Sequence, residues 1–239
     1  GRSSRRRGNP AAVCIALEGG GRFMKFADPD TLTLSNLNRF RAGVPDLGLN
    51  KAILSARQVY EINPFVSVEV WDRGLEENTL ERFLLRPKID ILIEEMDNLR
   101  LKIMIREYAK KHRIPVLMVT GNGENVIVDV ERFDLNPKLA LLNGHLKPEI
   151  YKKVMNPAKI FAGRKKLMLM RDFMGQKFLT GRLKKSFLEV GMKLAGIPQL
   201  AESSFLRGSA LCFLVRKIAS GEKIPSGRYH LRLDTLIHK

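Results

Sequence analysis

The sequence predicts an α/β protein: a doubly wound, mainly parallel sheet with a helical insertion and a C-terminal return to the core. Three observations predict it. Up to Glu131, segments of strand period alternate with segments of helical period, the pattern of parallel strands joined by right-handed crossovers. IDILIEE (89–95) carries a continuous apolar run in ILI, which suits a strand covered on both faces. From Leu135 to about Pro198 the pattern changes to short helices broken by Pro148, Pro157, Gly163, Gly175 and Gly181, as expected of an insertion over the sheet. The 239 residues are 44% hydrophobic, enough to fill a sizeable core.

The elements follow in order. Asn9 ahead of Pro10 is an acceptable N-cap for a helix through AAVCIALEGG, which ends at glycines 19–21. RFMKFA (22–27) alternates like a strand and stops at Asp28. Leu47 to Ile62 is helical in period, Pro64 ends it, and VSVEVW (66–71) is a strand. A helix from about Glu76 to Leu84 leads to the 89–95 strand. Leu99 to His112 is a basic amphipathic helix, IPVLMVT (114–120) a strand, and NVIVDVE (125–131) a further strand after a Gly-Asn-Gly turn. A helix through 204–220 and the strand in GRYHLRLDTLI form the return. The chain thus divides into a core (1–133), an insertion (134–201) and a C-terminal return (202–239).

The net charge of +17 is unevenly spread: residues 9–145 carry 18 basic and 19 acidic groups, residues 146–239 carry 20 and six. The second block therefore offers a basic surface suited to an acidic partner. Aromatic residues are not interleaved with these charges, so direct nucleic-acid recognition ranks low. No apolar run reaches the roughly 18 to 20 residues of a membrane span, and GRSSRRRGNP is followed by too little apolar sequence for a secretory signal. A cytoplasmic protein with no membrane partner is expected. Cys14 and Cys212 lack CxxC spacing, and His112, His145, His230 and His238 lack HxxxH spacing, so neither a disulfide nor zinc is expected.

The stretch richest in chemistry is ADPDTLTLSNLNRFR, followed by Lys51 in GLNKA. An acid at the tip of an early strand can hold both hydroxyls of a ribose, and Asp28 fits that task. Asn36, Arg39 and Lys51 could surround a triphosphate, Arg as a bidentate fork and Lys as a point charge. In EEMDN, Asp97 follows a buried strand and could hold Mg²⁺ through hard oxygen. Plainer readings exist for each residue taken alone: Asp28 and Asp30 as turn formers, Arg39 as a surface residue, Lys51 as a first-turn helix lysine, and Asp97 as the N-cap of the following helix. Methionine-rich KKLMLMRDFMGQKF (165–178) reads as core packing.

DPDTLTLSNLNR, then GLNKA, INP, the strand ending in MDN, and the IPV strand stand in an order and spacing that resembles ThiF/MoeB-type adenylyltransferases, relatives of the enzymes that activate ubiquitin-like proteins. The resemblance covers roughly residues 9–133 and the C-terminal return, and implies a Rossmann-like domain. It implies ATP-dependent adenylation of the C-terminal carboxylate of a ubiquitin-like protein or peptide, with Mg²⁺, usually on a homodimer. Matched residue by residue, Asp28 falls on the ribose ligand, Asn36, Arg39 and Lys51 on triphosphate-contacting positions, and Asp97 on the Mg²⁺-associated aspartate; Asp30 matches a second acidic position. Arg39, Lys51 and Asp97 are the implied catalytic set.

The family pattern begins with an apolar strand and a glycine-rich turn, where this sequence has GRSSRRRG. That strand is expected to be absent and the turn altered, either by truncation or with Arg5, Arg6 and Arg7 meeting phosphate. No cysteine lies in 134–201, so a thioester step is not expected there. Two other classes compete with the enzyme: a non-catalytic scaffold that kept the fold and lost the nucleotide, and a polyanion-binding module using the basic 146–239 surface.

Overall fold

The computed structural model describes residues 9–156 and 162–236. α1 (Asn9–Leu17) leads into β1 (Phe23–Ala27), and α2 (Lys51–Ile62) into β2 (Ser67–Trp71). β1 and β2 pair in parallel from Phe23↔Ser67 to Ala27↔Trp71. α3 (Leu80–Leu85) precedes β3 (Leu92–Ile93), and α4 (Leu99–Lys111) precedes β4 (Val116–Asn122), parallel to β3. The chain then reverses at Gly123, whose φ of +73° lies in the region glycine favours, and β5 (Asn125–Glu131) returns antiparallel along β4. α5 (Pro148–Met155), α6 (Gly163–Met174) and α7 (Gly181–Glu189) form the insertion. α8 (Ala201–Ala219) and β6 (Gly227–Leu231), antiparallel to β5, form the return. Among the described residues the strands form two sheets, β1–β2 and β3–β4–β5–β6.

Most sequence expectations hold to within a residue or two, and four local ones change. The helix expected from Leu47 starts at Lys51, because Val44–Asp46 is a separate 3₁₀ turn and the Asn50 side chain caps the helix, accepting from the N–H groups of Ala52 and Ile53. The strand expected over 89–95 is only Leu92–Ile93, which has a hydrogen-bonded neighbour on one side, β4. Asn98, not Asp97, caps α4 through the N–H groups of Arg100 and Leu101. Asn9 does not act as a cap. It is buried, donates to Ser55 Oγ (3.2 Å) and Gln58 Oε1 (2.7 Å), and accepts from the Arg41 N–H, tying α1 to α2.

The four-stranded sheet is covered on both faces. Leu117 and Val119 of β4 with Val126, Val128 and Val130 of β5 pack against Ala11 of α1 and Leu211 and Leu214 of α8. On the other face Met118 meets Ile150, Val154, Leu169 and Phe173, and Ile127 meets Leu179, Leu183 and Phe187. These two residues alternate out of step with their neighbours, as strand periodicity requires. The methionine-rich segment therefore does supply core, through Leu169 and Phe173.

α1 and α8 cross closely because position 208 carries no side chain. A Cβ there would lie 2.7 Å from Pro10 Cβ and 2.8 Å from the Pro10 carbonyl carbon. Gly208→Val should therefore destabilise the fold by about 2 kcal/mol through overpacking, read as a lowered urea midpoint with an unchanged m-value. A midpoint equal to the parent's would refute this reading of the crossing.

The insertion meets the return around Phe178, whose ring lies 5.0 Å from His145 and 5.5 Å from His230, with Arg228 stacked at 4.8 Å. Burial, then the Arg228 charge, holds both imidazoles below their ordinary range. A depressed histidine contributes stability that is present above its unfolded value of about 6.5 and is lost as pH falls through the lower folded value. The thermal midpoint should accordingly drop between pH 7.5 and 5.5. That slope should flatten in a His145→Phe, His230→Phe double variant, and an identical slope would contradict the assignment.

Buried charge concentrates along α4. Lys102 Nζ donates to Glu94 Oε2 (2.6 Å), Arg106 bonds both Glu94 Oε2 and Glu131 Oε2, the latter at 2.8 Å, and Glu131 Oε1 accepts from the Leu142 N–H (2.6 Å). Arg106, Glu94 and Glu131 are at most 1% exposed. Burial would raise the Glu94 carboxyl, but Lys102 and Arg106 outweigh it and hold the group below the ordinary carboxylate range. For Glu131 burial prevails and the shift is upward. The two positive and two negative groups balance, which is what allows them to sit in the core.

Candidate functional site

β1 and β3 run out beside one cavity of about 630 Å³, lined among others by Asp28, Phe40, Lys51, Ser55, Glu95 and Met96. Asn50 assembles its polar part. While its Oδ1 caps α2, its Nδ2 donates to the carbonyls of Asp28 (2.8 Å) and Asp72 (2.9 Å), the residues that follow β1 and β2. One amide thus fixes the start of α2 against the ends of both strands. Lys51 is the residue this places: it is 3% exposed, its N–H donates to the Asp30 carbonyl (2.9 Å), and its ammonium lies 3.5 Å from Asp30 Oδ2. Asp28 is also buried, and its Oδ1 accepts from the Asp30 N–H (2.9 Å) in a tight Asx turn.

The structure therefore brings Asp28 and Lys51 into one cavity, with Asp30 paired behind the lysine. Asn36 and Arg39 are not on its wall. Asn36 Oδ1 accepts from the Thr33 N–H and hydroxyl, and Arg39 Nη1 donates to the Ser35 carbonyl and Asn38 Oδ1, both at 2.7 Å, and these bonds shape the 33–39 segment. Asp97 lines a second, smaller cavity of about 100 Å³ with Glu95, Met96, Lys102, Met170 and Arg228. Glu95 and Met96 wall both spaces. GRSSRRRG, the place of the expected glycine-rich turn with Arg5, Arg6 and Arg7, lies outside the described residues, as does His238.

Sequence reading missed several groups here. Asn50 stands inside the quoted GLNKA, and its Asn-before-helix position was the available signal. Glu94 and Glu95 were visible as two acids ending an apolar strand, and Lys102 and Arg106 as an i, i+4 pair on the buried stripe of a helix. The Asp129–Arg228 pair, with oxygen–nitrogen distances of 2.7 and 3.0 Å, joins strands 99 residues apart and left no local trace.

The cysteines offer no nucleophile at this site. Burial, then Glu18, pushes the Cys212 thiol up to about 11, and Cys14 is on α1. Among the described residues no group of three or more His, Cys, Asp or Glu side chains is arranged to hold a metal by itself, and no helix is long and apolar enough to cross a membrane.

These features define a Rossmann-like α/β protein whose cavity borders β1 and β3 and carries its acid and lysine, Asp28 and Lys51, where β1 ends and α2 begins. The chain belongs to the ThiF family, whose profile matches residues 7–132. It is 32% identical over 232 residues to "Uncharacterized protein MT1398" of Mycobacterium tuberculosis (strain CDC 1551 / Oshkosh), covering 97% of this chain and 31% of the relative. It is also 32% identical over 102 residues to a probable molybdopterin-synthase adenylyltransferase of Porphyra purpurea, covering 42% of this chain and 26% of the other. The crystal structure of Escherichia coli MccB with ATP superposes with a TM-score of 0.59 at 17% identity, covering 95% of this chain and 57% of that one. The chain thus spans about a third or less of the length of these two curated relatives.

Proposed function

We propose that the protein binds ATP with its ribose at Asp28 and its α-phosphate at Lys51, and adenylates the C-terminal carboxylate of a peptide or small ubiquitin-like protein. The observation that carries this reading is the convergence of buried Asp28 and buried Lys51 on one cavity. A relative named as an adenylyltransferase and a fold neighbour crystallised with ATP support it. In the reaction a carboxylate oxygen of the acceptor forms a bond to the α-phosphorus while the bond to the bridging oxygen of pyrophosphate breaks. The products are the acyl-adenylate and pyrophosphate. Lys51 offsets the charge that builds on the α-phosphoryl oxygens. The proposal gives Asn36 and Arg39 the outer phosphates, approached from the segment that also carries Phe40 of the cavity wall.

Asp97 and Glu95 supply hard carboxylate oxygens of the kind Mg²⁺ takes, one or two at a time, when nucleotide phosphates complete its shell. They would hold it, and when bound it would neutralise phosphate charge. In this proposal the protein is a homodimer acting in the cytoplasm. With no cysteine in the insertion, the acyl-adenylate passes directly to the next nucleophile.

The test is exchange of labelled pyrophosphate into ATP with a panel of peptides bearing free C-terminal carboxylates, alongside calorimetry with Mg·ATP. Acceptor-dependent exchange is expected. Absence of both exchange and binding heat would overturn the adenylylation reading in favour of a scaffold.

A further inference from the structure

We infer that, if the protein adenylates a carboxylate as proposed above, its smaller cavity receives the side chain of the acceptor's last residue, and that this residue is apolar and of the size of Leu or Met. Glu95 and Met96 wall both cavities, and Asp97 lines the smaller one. Glu95 and Asp97 are the carboxylates proposed to meet the phosphates through Mg²⁺, so an acceptor carboxylate that attacks the α-phosphorus comes to this boundary. The Cα of its last residue is a single bond further on, and the side chain there is the part of the acceptor that reaches the smaller cavity. Gln199, also on its wall, accepts through its carbonyl from Asn38 Nδ2 (2.9 Å), so the 33–39 segment closes on the same rim.

The walls decide which side chain fits. Met118 and Ile127 come from the sheet, Leu183 from α7, and Leu167, Met170 and Met174 from α6, where their three- and four-residue spacing turns one helix face to the space. Two cations share the wall, and both are paired: Lys102 Nζ lies 2.6 Å from Glu94 Oε2, and Arg228 holds Asp129 through bonds of 2.7 and 3.0 Å. An acidic side chain would find these cations already bonded, would face Glu95 and Asp97, and would lose its hydration without compensation. The volume is about 100 Å³. Protein interiors hold few voids larger than a water, and an apolar cavity of about 150 Å³ admits a benzene, so this one suits a side chain of about four non-hydrogen atoms. Methionine walls adapt to the shape of an occupant, so Leu and Met are accepted alike, whereas Gly leaves the space unfilled.

This gives the insertion a task distinct from that of the core. Asp28 and Lys51 stand at the ends of core elements, while α6 and α7 of the insertion wall the smaller cavity. The core activates the carboxylate, and the insertion selects the residue that carries it.

The experiment measures ATP–pyrophosphate exchange by the full chain with pools of short peptides, randomised except for a last residue fixed as Leu, Met, Gly, Asp or Trp. Amide hydrogen exchange is followed in parallel with each pool and no nucleotide, which reads the cavity independently of adenylylation. Pyrophosphate exchange with the Leu and Met pools should exceed that with the Gly and Asp pools by about tenfold or more, the scale of burying one such side chain. The same two pools should slow amide exchange at 167–174 and 183–187. Met170→Trp should fill the space and bring the Leu-to-Gly ratio to within about threefold, while Met170→Ala should enlarge it and move the preference towards Trp. Equal rates and equal protection for the Leu and Gly pools, or a preference that neither variant alters, would overturn the pocket and leave adenylylation standing. Protection by the Leu and Met pools with no pyrophosphate exchange from any pool would overturn adenylylation and keep the pocket. Neither exchange nor protection would overturn both.

Discussion

Replacing Arg106 with methionine is expected to cost about 3–5 kcal/mol of folding stability, because it strips the shared cation from two carboxylates the core has already desolvated. Glu94 would keep Lys102, but Glu131 would be left with the Leu142 N–H as its remaining described donor. Against a total of about 5–15 kcal/mol for a typical protein, the loss should lower the thermal midpoint by roughly 10 °C or more. Urea titration gives the number. The double variant Arg106→Met, Glu131→Gln separates charge from volume: if the cost arises from an unpaired buried carboxylate, removing that charge restores part of the stability. A single variant within 1 kcal/mol of the parent would show that the cluster is not held by its charges.

Lys51→Ala should lower acceptor-dependent ATP–pyrophosphate exchange by about 10²- to 10³-fold, the usual effect of deleting one group aimed at developing phosphoryl charge. The fold should tolerate it, since the partner, Asp30, retains 21% side-chain exposure and can be rehydrated. Lys51→Arg is expected to recover only a fraction of the activity, because a planar fork does not replace a compact ammonium in a buried position. Unfolding curves close to the parent's, with exchange lost, would locate the effect in the reaction. Exchange within threefold of the parent would remove Lys51 from the proposed chemistry.

Periodicity made the elements legible because it records which face of each segment meets the core. RFMKFA, VSVEVW, IPVLMVT and NVIVDVE all became strands within a residue or two, and the helical stretches fell where their apolar stripes predicted. Periodicity does not record neighbours. IDILIEE has the composition of a strand flanked on both sides, yet only two of its residues pair regularly, with β4 alone. The antiparallel β5 and β6 were equally silent as to direction. For the candidate site, the positions of the acid after β1 and the lysine opening α2 follow from strand ends and helix starts, which are marked locally, and both line one cavity. Asn36 and Arg39 stand in a loop whose side chains bond neighbouring groups of the same loop, and such a loop uses the same polar residues as one that faces a ligand, so sequence alone does not place them relative to the cavity. Asp97 illustrates the same limit: Asn98 next to it took the cap that either could have made.

The partition formed by Glu95 and Met96 carries one further consequence. Two compartments that have Glu95 and Met96 as common wall residues are not reshaped independently when those side chains move. A molecule that seats itself beside Met170 and Arg228 by displacing Met96 would alter affinity on the Asp28 and Lys51 side, and thermodynamic linkage requires the reverse influence to be equal in magnitude. Communication between the chambers thus needs no long relay through the fold, because Glu95 lines both and its Oε1 accepts from the Val119 N–H of β4 at 3.0 Å.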